Sequence, residues 1–324
     1  MKTGVNLFVV TYNRVNYLKI AVESILAQTY TDFVLYILDN CSTDETKEYV
    51  KSIDDKRIRY IRHEKNVGGI GNIAYAFEHS EGEFFAIFHD DDILHSTLLE
   101  EEIAYLEDHD ECVAVSCLSN NIDDVGHCIK KTNEGVHQIR NYSGKQFFEE
   151  YMNNQKSFTF PATLYRTNFI KIHKINIKSE PGPCADVVLY MDIEKEGGTI
   201  AEIPKVLIDY RIYKNQDSSL HLEEMLVKLI NYLSEDEYYS QILKEDVVGQ
   251  KKYFKWYFRR LLSREVSKCI KYDDAHNYLK IMNEVLGIPI KSVQGYKMLL
   301  WTANKLLVPA NITYKIVKKV KSKL

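Results

Sequence analysis

Short apolar runs alternate with amphipathic stretches through the first 118 residues, and this alternation restricts the fold more than any other feature of the 324-residue chain. Val5–Val10, Phe33–Leu38, Arg57–Ile61, Glu83–Phe88 and Cys112–Cys117 read as strands. Between them, Leu18, Val22, Ile25 and Leu26 fall on one face of a helix over Asn16–Gln28. Ile70, Ile73, Ala74 and Phe77 line a second helix, and Leu98, Leu99, Ile103 and Leu106 a third. Ser42 with Glu45 three residues later has capping-box spacing and predicts a helix running toward Ile53. Repeated strand–helix units predict an α/β fold with a mostly parallel sheet covered by helices. Ligands of such sheets bind beyond the carboxyl ends of the strands. The polar clusters stand there: Thr11-Tyr12-Asn13-Arg14 after the first strand, Asp39-Asn40 after the second and Asp90-Asp91-Asp92 after the fourth.

Residues 119–215 are mixed in pattern. Phe158–Tyr165 and Thr199–Tyr213 read as strands, and Cys184–Lys195 as a helix opened by Asp186. From about Leu220 the chain reads helical, with Met225, Leu229 and Leu233 at one spacing. The expected division is therefore a domain over 1–215, with halves 1–118 and 119–215, and a helical region over 216–324. A formal net charge of -4 argues against a general attraction to nucleic acid. The six cysteines show no metal-ligand spacing, which fits reduced thiols and a cytoplasmic protein. The run Val5–Val10 is too short for a signal segment, and no stretch reaches the roughly 18 apolar residues of a membrane span.

Four groups can carry chemistry. Asp90, Asp91 and Asp92 would repel one another unless a positive group lies between them, and a hard divalent cation, Mg2+ or Mn2+, is the simplest one; an acidic turn before the helix near Ser96 is the plainer reading. Asp39 past a strand end can accept bonds from a ribose hydroxyl or a base, or can form an Asx-turn. Asn66-Val67-Gly68-Gly69-Ile70-Gly71-Asn72 allows close backbone approach to an anion, although it is neither a Walker loop nor a dinucleotide fingerprint. Asp186 can serve as a general base, or can cap its helix with a lowered pKa.

Together these segments resemble the inverting glycosyltransferases of family 2, with the GT-A fold. The resemblance runs through Phe8–Arg14, Ser24–Tyr30, Leu38–Thr46, Asn66–Gly69 with Asn72, and Gly82–Asp92. It implies a nucleotide-sugar site built from Thr11, Tyr12, Asn13, Arg14, Asp39, Gly68, Gly69, Asn72, Asp90 and Arg211. It also implies Asp91 and Asp92 as ligands of Mn2+ or Mg2+, and Asp186 as the catalytic base. Two positions depart from the family pattern: Ala185 replaces a Glu, and Tyr213 replaces the His of a Tyr-Arg-x-His-x-Asn segment at 210–215. Loss of that His removes a metal or phosphate contact, for which Arg211 or Lys214 can supply charge.

The implied activity is metal-dependent, inverting transfer from a nucleotide-diphosphate donor, with a UDP-sugar favoured. The acceptor would be a glycan or lipid-linked glycan of a bacterial surface polysaccharide or lipopolysaccharide. A nucleotidyltransferase would share the fold and the metal, but the chain shows no basic Gly-rich loop with a downstream Lys. A non-catalytic nucleotide-sugar or glycan-binding module is the other alternative.

Near the C-terminus, Ile312, Ile316, Val317 and Val320 recur at helical spacing beside Lys315, Lys318, Lys319, Lys321 and Lys323. That pattern suits a helix lying peripherally on an anionic membrane, such as the inner face of a plasma membrane, with each lysine contributing about 1 kcal/mol of attraction. Full-length protein should float with anionic liposomes at low salt, and a chain truncated after Pro309 should float less. Equal flotation of both, or of neither, would remove the membrane contact.

Overall fold

The computed structural model describes residues 4–134, 138–154, 156–213, 222–245 and 249. Ile312–Lys323, expected from sequence to lie on a membrane, Lys214 and Cys269 lie outside these residues. None of the described cysteines, Cys41, Cys112, Cys117, Cys128 and Cys184, is in a disulfide. Two compact units are present, Met1–Tyr151 with Lys156–Leu220, and Met152–Gln155 with His221–Leu324.

The first unit is built on one sheet. Strands β1 (Val5–Thr11), β2 (Phe33–Asp39), β3 (Ile58–Arg62) and β4 (Phe84–His89) are parallel, in the order β3-β2-β1-β4. Helices α1 (Val15–Leu26), α2 (Thr46–Ser52), α3 (Gly68–His79) and α4 (Leu98–Asp108) connect or follow them, with the short strand β5 (Ile93–Leu94) after β4. The central strands β1 and β4 are covered on both faces: the successive residues Leu7, Phe8 and Val9, and Phe85, Ala86, Ile87 and Phe88, are all fully buried. The chain runs outward from β1 through β2 to β3, then returns to place β4 on the other side of β1. The crevice between β1 and β4 is thus a topological switch point, where such sheets bind ligands.

Residues 119–213 complete the same sheet. Strand β6 (Cys112–Ile122) leads into β7 (Cys128–Lys130) and β8 (Arg140–Tyr142), then α5 (Gln146–Asn154), β9 (Thr163–Arg166), α6 (Thr167–Ile172), α7 (Ala185–Lys195) and β10 (Thr199–Arg211). β9 lies antiparallel between β4 and β6, so the fifth strand of the sequence is not the neighbour of the fourth. β10 runs parallel to β6, and its end pairs antiparallel with β5 through Ile208↔Leu94 and Asp209↔Ile93.

Two expectations are corrected. Phe158–Tyr165 is not one strand: Pro161 lies in a 3-10 turn over Phe160–Ala162, and β9 begins only at Thr163. Proline has no amide hydrogen for a strand ladder. Ser42 and Glu45 do not form a capping box. Ser42 Oγ accepts the Asn13 amide at 2.9 Å, while Asp44 accepts the Thr46 amide at 3.1 Å and the Val15 amide at 3.0 Å. These bonds tie the loop after β2 to the loop after β1.

In the second unit, α8 (Leu222–Glu235) and α9 (Glu237–Glu245) are helical, with Leu229, Leu233, Tyr239 and Ile242 buried. Among the described residues, no helix is long and apolar enough to cross a membrane.

The entry to β4 is tight. The Asn6 side chain accepts the amides of Glu81 and Gly82 at 2.8 and 3.2 Å, and a Cβ on Gly82 would stand 2.5 Å from the Gly4 carbonyl oxygen. The obstructing atom is backbone and cannot swing aside, so Gly82→Ala should destabilise the protein by about 1–3 kcal/mol. Thermal unfolding checks this, and an unchanged midpoint would refute it.

Candidate active site

Strand register assembles the site. Thr11 at the end of β1 pairs with Asp39 at the end of β2, and Val10 pairs with His89 at the end of β4. Thr11 Oγ1 donates to Asp90 Oδ2 at 2.6 Å across the switch point. Asp39 and Asp90 therefore flank one strand, about 10 Å apart at the usual strand spacing.

The acidic turn is enclosed rather than solvated. Asp90, Asp91 and Asp92 are all buried. Arg14 Nη1 bridges Asp90 Oδ1 at 3.3 Å and Asp91 Oδ2 at 2.9 Å, and its guanidinium lies 5.4 Å from the Tyr213 ring centre. Tyr213 donates its hydroxyl to Asp91 Oδ2 at 3.1 Å. The Arg211 amide donates to Asp92 Oδ1 at 2.9 Å, whereas Asp92 Oδ2 is buried without a hydrogen-bond partner. Burial, reinforced by the charge of Asp91, pushes Asp90 up to about 7. The same two causes hold Asp92 well above the ordinary carboxylate range.

His89 was not anticipated from sequence. Its ring, Asp91 and Asp92 each offer a ligand atom, all within 4.8 Å of one another. A strand-end His two residues before an Asp is a weak sequence signal, and only folding turns it toward the carboxylates. The orphaned oxygen of Asp92 and this donor set fit a divalent cation.

Other predicted residues divide by role. Tyr12 is 43% exposed at the mouth of the crevice. Asn13 has a left-handed backbone with φ 53 and accepts the Thr43 amide at 2.7 Å, which fixes the loop bearing Tyr12 and Arg14. Asp39 is fully buried. One of its oxygens accepts the Ser42 amide at 2.7 Å, and the other receives the Tyr60 hydroxyl and lies 3.5 Å from Arg62 Nε. Gly68 has φ +79, a conformation glycine adopts without strain. A Cβ on Gly68 or Gly69 would meet nothing within 4 Å. Asn40 holds this glycine segment by accepting the Val67 amide at 2.8 Å and donating to Asn66 and to the Gly68 carbonyl. Asn72 is buried, with its amide spent on the Leu38 carbonyl at 3.0 Å and on His63 at 2.9 Å. It tethers α3 to the sheet.

Arg211 reaches the acidic turn from the end of β10. Its side chain is buried, with Nε on the Asp91 carbonyl at 2.7 Å and Nη1 on the carbonyls of Asp123 and Asp124 at 2.7 and 3.1 Å. These bonds tie the acidic turn to the turn at Asp123 and Asp124.

Asp186 does not cap its helix. It lies in the first turn of α7, whose N-cap is Cys184 with no side-chain cap. Its Oδ1 accepts the adjacent Val187 amide at 2.9 Å, and its carboxylate also receives its own backbone amide. Burial outweighs those bonds and the helix dipole, so its pKa is raised to about 6 rather than lowered. Tyr210, on β10, feels the charge of both acidic groups. Burial first, then the charges of Asp92, Asp91 and Asp186, raises its pKa.

A family model described as glycosyl transferase family 2 matches residues 7–172, just over half of the chain. The chain belongs to that family. It is 25% identical over 230 residues to an uncharacterised glycosyltransferase of Haemophilus influenzae, covering 68% of this chain and 69% of the relative. A putative teichuronic acid biosynthesis glycosyltransferase of Bacillus subtilis, TuaG, is 23% identical over 220 residues, 67% of this chain and 82% of that one. Other relatives are longer, and a Rickettsia felis glycosyltransferase is matched over only 38% of its length.

Solved structures share the GT-A fold. S. aureus TarS in complex with UDP-GlcNAc superposes with a TM-score of 0.66 at 15% identity, covering 87% of this chain and 80% of that one. A mannosyltransferase of Pyrobaculum calidifontis in complex with GDP-Man and Mn2+ gives 0.59 at 15% identity, covering 97% and 83%.

A carboxyl whose pKa rises on folding stabilises the folded chain while it is protonated, and that contribution is lost as pH rises through about 6. Asp186→Asn cannot ionise. Between about pH 4 and 6, from the ordinary carboxylate value of 3.8 up to the raised one, the wild-type melting temperature should fall relative to that of the variant, which should be at least as stable above about pH 7. Parallel melting curves across that window would mean that the Asp186 carboxyl is not raised.

Proposed function

We propose that this family 2 protein transfers a sugar, with inversion, from a nucleoside-diphosphate donor to a hydroxyl of a glycan or lipid-linked glycan. A UDP-sugar is the favoured donor. The observation that carries the reading is the buried acidic turn after β4, where Asp91, Asp92 and His89 offer ligand atoms within 4.8 Å of one another beside the strand ends that bear Thr11 and Asp39. Support for the donor comes from TarS, solved with UDP-GlcNAc, and support for a polysaccharide product from the name of TuaG.

The residues divide the work. The loop Tyr12–Arg14 and Asp39 line the nucleoside end, with Gly68 and Gly69 giving the donor a close backbone approach. Thr11 and Arg14 hold Asp90 beside them. Asp91 and Asp92 would hold Mn2+ or Mg2+. When bound, the cation offsets the charge that grows on the departing diphosphate. Arg211 positions the acidic turn. Asp186 accepts the proton of the acceptor hydroxyl, and a single displacement at the anomeric carbon inverts its configuration. A base that titrates near about 6 is ionised at neutral pH yet remains basic enough to take that proton.

Asp91→Ala should abolish cation-dependent nucleoside-diphosphate binding, read as loss of the thermal shift by UDP with Mn2+, while the fold persists. Asp186→Asn should lower turnover by about 100-fold or more with donor binding retained. The wild-type rate should also fall as pH drops through about 6. Unchanged transfer by either variant would remove that residue from its role.

A further inference from the structure

We infer that His89 is a third ligand of the cation site, and that its imidazole gives the site a preference for Mn2+ over Mg2+. The inference rests on the cation site of the proposed transferase and goes beyond it by naming a ligand and a metal.

His89 closes β4, immediately before the acidic turn. Its ligand atom and those of Asp91 and Asp92 lie within 4.8 Å of one another. Two ligands opposite each other on a cation are separated by about 4.3 Å, twice an ordinary bond of roughly 2.1–2.2 Å. Only one pair of three ligands can be opposite, and adjacent ligands stand about 3 Å apart, so the three groups are near enough to share one cation after drawing together by up to about 2 Å.

A second observation marks the place as a ligand site. Asp92 Oδ2 is buried and unpartnered, while Oδ1 of the same carboxylate is held by the Arg211 amide. The bonds to Asp91 fall on its Oδ2, from Arg14 and Tyr213. Each carboxylate thus has one oxygen fixed by the protein and the other left for a ligand. Removing a carboxylate from water without a partner is costly, and a cation between the two remaining oxygens would remove that cost.

The choice of metal follows from the donor set. Mg2+ demands oxygen ligands in near-ideal octahedral geometry and keeps its waters. An imidazole nitrogen binds first-row transition ions well, whereas carboxylates suit Mg2+ and Mn2+ alike. One imidazole with two carboxylates therefore shifts the balance toward Mn2+. The ring would bind neutral, its orientation limited by Phe160, whose ring centre lies 5.8 Å away.

The test uses the full chain without donor. Mn2+ titration followed by electron paramagnetic resonance should give wild-type binding that Mg2+ displaces only at large excess. His89→Ala should weaken Mn2+ binding by about 10-fold or more, lower the Mn2+-to-Mg2+ preference, and leave the melting temperature nearly unchanged. Spin-echo spectra of the wild-type Mn2+ complex should carry nitrogen modulation that His89→Ala loses. If His89→Ala does not fold, His89→Asn replaces it in both measurements. Mn2+ affinity within two-fold of wild type, or nitrogen modulation that persists in the variant, would overturn the ligand assignment and leave the transferase reading standing. Absence of any Mn2+ binding by the wild-type protein, with or without UDP, would overturn the cation site itself.

Discussion

Three carboxylates buried side by side repel one another, and much of the first unit is arranged to hold Asp90, Asp91 and Asp92 in place despite that repulsion. Arg14 forms the ion pairs with Asp90 and Asp91, and the charge of Arg211 acts on Asp92. Thr11 and the Arg211 amide each take one further oxygen, and Tyr213 shares Asp91 Oδ2 with Arg14. Raised pKa values at Asp90 and Asp92 register the repulsion that remains, together with burial. A turn built for stability alone would expose these groups or replace them. Their retention in the interior is what a site awaiting positive charge requires.

The sheet makes this arrangement possible. Parallel pairing of β1 with β2 and β4 places Thr11 between two acidic strand ends. The antiparallel contact of β5 with the end of β10 then carries Tyr210, Arg211 and Tyr213 over the acidic turn. Arg211 locks that contact by binding the Asp91 carbonyl on one side and the turn at Asp123 and Asp124 on the other. Packing so placed transmits directly to the site, because a displacement of β10 would move the acidic turn that Arg211 holds.

The departures from the family pattern acquire physical content in this frame. Tyr213, standing where relatives have His, keeps a contact to Asp91 but as a hydroxyl donor, which fixes the carboxylate without competing as a metal ligand. His89 offers an imidazole from the opposite side of the same turn. Ala185 is buried at the start of α7, so no side-chain carboxylate accompanies Asp186 there, and burial dominates its pKa.

By itself, the sequence determined the strand–helix alternation, the parallel half of the sheet and the residues at its carboxyl ends, because period and polarity are local properties of the chain. Thr11, Asp39 and the triple Asp were legible as one cluster, since the topology of such a sheet brings successive strand ends together. Side-chain partners were decided only by the tertiary structure. Asn72 and Arg211 look like ligand contacts in sequence, and the fold in addition sets Asn72 Nδ2 on the Leu38 carbonyl and Arg211 Nε on the Asp91 carbonyl, pairings that no local pattern reveals. The insertion of β9 between β4 and β6, the turn of His89 toward Asp91 and the raised pKa of Asp186 likewise depend on burial and on long-range pairing. These are properties of neighbours far apart in the chain, and they come into being only when the sheet closes over the site.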